Sequence, residues 1–166
     1  MRSDIRVGHG YDLHRLEAPP PAGRGRPLIL GGVPMDHDRG PVAHSDGDAL
    51  YHALTDAILG ALALPDIGQL FPDTGAANES RDSGDFLSAA ASRASGAGWR
   101  IQNVDATVIL ERPKLAPHKE AMRSNIARLL GIEEDRVNIK GKTHEKVDAV
   151  GEGRAVEVHA VVLLIK

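Results

Sequence analysis

Apolar residues recur at helical spacing across residues 46–64, where Leu50, Leu54, Ala57, Ile58 and Ala61 fall on one face. A second helix is expected from Asp82 or Ser83, either of which can cap it; Leu87, Ala90, Ala91 and Ala94 lie inside, and Gly96 and Gly98 end it. A third begins at Pro117 or His118, turns Met122, Ile126, Leu129 and Leu130 inward, and stops at Gly131. Residues 101–110, 137–140 and 155–165 read as strands, and residues 28–33 as a hairpin or edge excursion. Residues 17–27, with four prolines and two glycines, form the most linker-like stretch, and no internal repeat is apparent. Helices interleaved with strands predict a layered α/β domain rather than a bundle or an all-β sandwich.

The last strand adds a constraint. Glu157 and His159 alternate with Val156, Val158 and Ala160, but from Ala160 to Ile165 both faces are apolar. Such a strand needs cover on both sides. It is either a fully buried central strand or one whose second cover is a partner subunit.

The chain has 166 residues, the size of one domain. Its 20 Lys and Arg against 23 Asp and Glu leave a net charge of −3, which argues against a nucleic-acid backbone as the main partner. Cysteine is absent, so disulfides, thiolate nucleophiles and sulfur-bound zinc are excluded, and any metal must be held by His, Asp or Glu. The N-terminal residues carry no apolar stretch of signal-peptide length, and the longest apolar run, residues 160–165, is far short of a membrane helix. A cytoplasmic protein with no membrane partner is the expectation.

Candidate chemistry lies in five segments. In Gly8-His9-Gly10-Tyr11-Asp12-Leu13-His14 an extended backbone points Asp12 and His14 the same way, with Leu13 expected to face the core. By itself this pattern also fits a solvated strand end. In His44-Ser45-Asp46-Gly47-Asp48 and onward, Asp48, His52 and Asp56 share a helical stripe opposite Leu50, Leu54 and Ala61, which would otherwise read as a solvated face. His52 offers the third ligand that Asp12 and His14 lack; one carboxylate and two imidazoles with an open position suit catalytic Zn²⁺. Residues 65–74 mix turn formers with two acids and two large apolar residues, either a plain tethered loop or one that grips a polyol. Residues 111–116 stand where a strand hands over to a helix, a common place to read a ligand, and residues 142–145 close another strand with a hydroxyl and a carboxylate.

Taken in order, these segments resemble the 2-C-methyl-D-erythritol 2,4-cyclodiphosphate synthase family of the non-mevalonate isoprenoid pathway, with the match running from Arg6 to Ile165. The most specific parts are Gly8 to His14, His44-Ser45-Asp46-Gly47-Asp48 with His52, and Asp66-Ile67-Gly68-Gln69-Leu70-Phe71-Pro72-Asp73-Thr74. The resemblance implies one α/β domain spanning residues 1–166, a two-layer sandwich with a mixed four-stranded sheet and helices on one face. It further implies a homotrimer in which the sheets pack together and the active sites lie between subunits. Asp12, His14 and His52 become zinc ligands, and Glu145 a ligand of a second divalent cation, Mg²⁺ or Mn²⁺. His44 and Thr143 become catalytic hydrogen-bond donors. The substrate, a cytidine diphosphate derivative, is held by Asp12, Leu13, His14, His44 and Ser45, and its methylerythritol part by Asp66, Ile67, Gly68, Phe71, Pro72, Asp73, Thr74 and Gly75. Leu110, Glu111, Arg112, Pro113, Lys114, Leu115 and Ala116 form the cytidine pocket; Lys142, Thr143, His144 and Glu145 line the diphosphate.

Three departures mark this chain. Gly75 stands where the family often has an acid, and Lys142 and His144 where it often has hydroxyl residues. Residues 146–153 are about two residues short and lack the aromatic and the arginine that usually precede Gly-Glu-Gly, so the phosphate and effector roles of those two are not carried over. A metal-dependent phosphohydrolase and a non-catalytic nucleotide-binding subunit are the rival readings.

Overall fold

A computed structural model describes residues 4–72 and 78–166. Strand β1 (Ile5–Glu17) is followed by a hairpin, β2 (Leu28–Leu30) and β3 (Val33–Met35), and by the two-residue β4 (Gly40–Pro41). Then come α1 (Ala49–Ala61), the single turn α2 (Ile67–Leu70), α3 (Ser83–Gly96), β5 (Arg100–Ile109), α4 (Lys119–Leu130), β6 (Val137–Lys142), the single turn α5 (Asp148–Gly151) and β7 (Ala155–Ile165). The last strand has the bounds its pattern predicts. Helix α1 starts later than expected because Asp48 caps it, its side chain accepting the N–H groups of Leu50 and Tyr51.

The main sheet has the order β4-β1-β7-β5-β6, mixed because only β5 and β6 run parallel. It holds five strands, not the expected four: returning from the hairpin, the chain pairs Pro41 and Gly40 with Leu16 and Glu17 at the far end of β1. The turn Gly31-Gly32 takes positive φ at both residues, the twist a two-residue hairpin needs.

Among the described residues, the single turn α5 covers Ile109 and Ala155 at one end of one sheet face, and α1, α3 and α4 cover the other. Against these three helices lie Val156, Val158, Ala160, Val162 and Leu164 of β7, all fully buried, with Val104, Ala106 and Val108 of β5. Beyond α5 the first face is open. Ile5, Val7, Tyr11, Leu13 and Val161 there are 42–65% exposed. One of the two alternatives for β7, and the expectation for Leu13, fall here. Strand β7 is central yet not buried on both faces, and Leu13 does not face the core. Strict alternation in β1 gives the inner face to Gly8, Gly10, Asp12, His14 and Leu16, so Leu13 must point outward.

Those two inward glycines set the position of α1. A Cβ on Gly8 would lie 1.8 Å from the carbonyl oxygen of Ala57, and one on Gly10 1.8 Å from that of Ala53. With no side chain on either side larger than a methyl, α1 lies directly on β1. Two strand residues advance about 6.7 Å and four helical residues about 6 Å, so strand and helix stay in step. The next inward position, Asp12, therefore meets the first turns of α1, where His52 stands.

Candidate active site

Asp12, His14 and His52 converge. His52 Nδ1 lies 3.1 Å from Asp12 Oδ2, and His14 Nε2 lies 3.4 Å from the same oxygen without making a hydrogen bond to it. The two imidazoles meet edge to face, their centroids 5.2 Å apart. One ligand atom from each residue falls within 4.8 Å of the others, and among the described residues this is the one group of His, Asp and Glu so arranged. The donor set fits a divalent ion on two further counts. Nε2 of His14 is buried and has no partner, a polar atom that only an incoming group can satisfy. Its Nδ1 stands 3.2 Å from the Leu13 carbonyl, which can only accept, so Nδ1 carries the proton and Nε2 keeps its lone pair.

Electrostatics separate the two histidines. Burial pushes His14 below its ordinary value and keeps it neutral. Burial acts on His52 in the same direction, but its contact with Asp12 and the charges of Asp12, Asp48 and Asp46 outweigh it and raise His52. The expected stripe of Asp48, His52 and Asp56 divides into three tasks. Asp48 is fully buried and accepts not only from α1 but from the N–H groups of Gly31 and Gly32, tying the hairpin to the helix start; burial raises its carboxyl to about 6. Asp56 accepts the Ile67 N–H at 2.7 Å and anchors α2. Only His52 faces the cleft.

That cleft, about 420 Å³, is lined by His14 and His52 together with His44, Ser45, Ile67, Gly68 and Phe71 from the expected set. His44 presents a buried Nε2 with no partner. Ser45 is buried, its hydroxyl 3.2 Å from His52 Nε2. Asp66 is spent on capping α2 through the Gln69 N–H, and Pro72 offers its carbonyl to Asn78. Asp73, Thr74 and Gly75 lie outside the described residues. Sequence reasoning missed Asn78 and Phe86 in the wall, and Arg26, which holds the carbonyls of Ala43 and His44 and the Ser80 hydroxyl. One of two arginines in a Pro/Gly stretch, Arg26 carries no signal of that task.

A second crevice, about 370 Å³, opens at the C-terminal ends of the parallel pair β5 and β6, the usual position for a ligand in such sheets. Leu110, Glu111, Pro113, Lys114, Leu115 and Ala116 line it with Lys142 and Thr143, and the Leu110 N–H donates to the Lys142 carbonyl. Glu111 Oε2 is buried there without a partner. Arg112 is exposed and outside the lining. His144 pairs with Asp148 at 2.9 Å, and Glu145 is exposed with positive φ, in neither cavity and not among the converging metal-ligand group. Within one chain the two cavities share no lining residue.

Fold and site together define an α/β protein with a candidate metal centre in one cleft and a separate crevice at its parallel strand ends. The model of the YgbB family matches residues 5–165, and the chain belongs to that family. It is 54% identical over 162 residues to the chloroplastic 2-C-methyl-D-erythritol 2,4-cyclodiphosphate synthase of Arabidopsis thaliana, covering 98% of this chain and 68% of that one. To the synthase of Chromobacterium violaceum it is 55% identical over 160 residues, covering 96% and 98%. A solved CDP complex of IspF from Plasmodium falciparum superposes with a TM-score of 0.84 at 38% identity, covering 99% of this chain and 98% of that one.

Proposed function

We propose that this chain converts 4-diphosphocytidyl-2-C-methyl-D-erythritol 2-phosphate to 2-C-methyl-D-erythritol 2,4-cyclodiphosphate and CMP, as its relatives' names indicate for them. The observation that carries the reading is the convergence of Asp12, His14 and His52 in a cleft beside an unpartnered His44. An oxygen of the substrate's 2-phosphate attacks the β-phosphorus, a new P–O bond forms, the bond from the β-phosphorus to the bridging oxygen breaks, and CMP departs. A phosphate monoester's second pKa is about 6, so the attacking oxygen is charged near neutrality and no side-chain nucleophile is needed. The chain's work is to hold like charges together and bend the substrate into a ring, where alignment can supply roughly 7–11 kcal/mol.

Asp12, His14 and His52 hold the first ion, for which one carboxylate and two imidazoles favour Zn²⁺. An ion held by these three side chains would supply Lewis-acid chemistry, offsetting negative charge on the β-phosphate. His44 and Thr143 donate hydrogen bonds to the reacting phosphates, and Ser45 lies beside His44. Ile67, Gly68 and Phe71 enclose the methylerythritol portion. The crevice of residues 110–116 takes cytidine, a reading supported by the CDP held in the Plasmodium relative. Lys142 supplies a positive charge beside the diphosphate, and Glu145 offers a carboxylate to a second cation, Mg²⁺ or Mn²⁺.

Because one chain keeps the metal cleft and the nucleotide crevice apart, we assign a complete site to two neighbouring subunits of a homotrimer. The open apolar sheet face supports this: a contiguous patch of Ile5, Val7, Tyr11, Leu13 and Val161 is a surface that calls for a partner.

Product analysis by ³¹P NMR tests the reaction. Cyclic diphosphate with CMP is expected. Inorganic phosphate would point instead to a metal-dependent phosphohydrolase, and unchanged substrate to a non-catalytic nucleotide-binding subunit.

A further inference from the structure

Behind the Asp12-facing edge of His52 runs a polar chain, buried at Ser83 and half-buried at His52 and Asp46. His52 Nε2 lies 2.8 Å from Ser83 Oγ, and that hydroxyl is bonded to Asp46 Oδ1. Asp46 also accepts the Ser83 N–H at 3.1 Å through its other oxygen and the Asp48 N–H at 3.1 Å through Oδ1. Ser83 is fully buried, at the first residue of α3, with Asp82 capping that helix.

From this geometry we infer that Ser83 and Asp46 are positioning residues that fix which nitrogen of His52 is free to bind a metal. The inference rests on the metal-centre reading above. A carboxylate only accepts, so the single Ser83 hydroxyl proton is committed to Asp46. Ser83 Oγ then faces His52 with lone pairs alone, and Nε2 must carry a proton to meet it at 2.8 Å. With Nε2–H donated, the lone pair available to an ion is on Nδ1, the nitrogen turned towards Asp12. His14 is set the opposite way, its Nδ1–H on the Leu13 carbonyl and its Nε2 free. The two imidazoles thus reach one focus through different nitrogens, each fixed by the acceptor behind it. A partner of this kind both orients a ligand and raises its basicity.

Ser45 explains why Ser83 matters. Its hydroxyl, 3.2 Å from His52 Nε2, could donate to that nitrogen if Nε2 lost its proton, which would move the proton to Nδ1 and block the ion. The shorter contact with Ser83 prevents that arrangement. Ser83→Ala removes the hydroxyl but keeps the backbone N–H that docks α3 on Asp46.

The test uses the full chain, Zn²⁺ as probe, chelator competition for affinity and ¹⁵N-histidine correlation spectra for the ring nitrogens. In wild type we expect one tightly held Zn²⁺, with His52 metallated at Nδ1 and protonated at Nε2. Ser83→Ala is expected to weaken Zn²⁺ binding by about 10–100-fold and to lose the fixed Nε2 proton, with Asp46→Asn giving a smaller fall. Unchanged affinity and an unchanged His52 proton in Ser83→Ala would overturn the inference while leaving the metal centre intact. Should that variant not fold, metallation of wild-type His52 at Nε2 overturns it equally. A wild-type chain that binds no Zn²⁺ removes the metal centre, and the inference with it.

Discussion

Nδ1 of His52 lies 3.1 Å from Oδ2 of Asp12, although 40 positions separate them in the chain. The contact exists because α1 lies flat on β1, and it places the helix imidazole opposite the carboxylate and imidazole of the strand. Replacing His52 with Ala leaves Asp12 and His14 with too few donors for a tight ion. Loss of several kcal/mol of charge stabilisation corresponds to roughly 10²–10⁴ in rate. We expect His52→Ala to lose its bound metal and turnover on that scale yet still fold, with a thermal midpoint near that of metal-free wild type and below that of the metal-loaded chain, as metal analysis, kcat and calorimetry together would establish.

Metal binding should depend on pH in a defined direction. Without an ion, His52 is held above its ordinary value, burial notwithstanding, by Asp12 and the nearby carboxylates, whereas burial holds His14 below its own. The ion must displace the His52 proton and meets none on His14 until lower pH. Affinity is therefore full above the raised His52 value and falls as pH drops through it, by about tenfold per unit for one displaced proton. Zn²⁺ titrations across pH should show the fall beginning above the free-histidine value of about 6.5. A fall starting well below it would mean that His52 is not the proton-bearing ligand.

The seating of α1 can be tested with two glycines. In Gly10→Ala the new methyl meets the Ala53 carbonyl oxygen at 1.8 Å, so helix and strand must separate. Overpacking of this kind costs about 1–3 kcal/mol or more. Because the movement lifts His52 from Asp12, metal affinity falls with stability. Gly60→Ala, on the same helix, meets nothing nearer than the His9 carbonyl oxygen at 3.8 Å. It should gain roughly 0.5–1 kcal/mol from helix propensity alone, and denaturant melts of the pair give both signs.

Much of this was legible in the sequence. Apolar spacing gave α1, α3, α4 and the last three strands, because each buries an ordinary hydrophobic face. The segment around Leu13 is the exception, since its expected inward side chain points outward. The inner face of β1 carries Gly8, Gly10, Asp12 and His14, and its outer face Ile5, Val7, Tyr11 and Leu13, so polarity alone points the wrong way. The pairing of Asp12 with His14 survived that error, since residues two apart share a face whichever face it is. Asp48 kept the right helical register but caps the helix instead of joining the stripe. Ser83 left no signal beyond that of a helix start, because its contact with His52 depends on how α3 docks against α1.

Assembly is open to a direct test through the exposed sheet face. Val7 is 65% exposed and points away from both cavities, so Val7→Asp costs little inside one chain. In a trimer built on this face it places charges against apolar neighbours. We expect sedimentation to show smaller species, with Zn²⁺ retained and turnover lost because cleft and crevice no longer meet. Unchanged mass and activity would place the interface elsewhere.

Whether Asp12, His14 and His52 share one ion is decided by anomalous diffraction from crystals grown with Zn²⁺ and CMP. A single strong peak at the zinc edge, bonded to Asp12, His14 Nε2 and His52 Nδ1, is the expected result. Crystals in which that focus carries no anomalous signal, or in which the ion sits elsewhere on the chain, would contradict it.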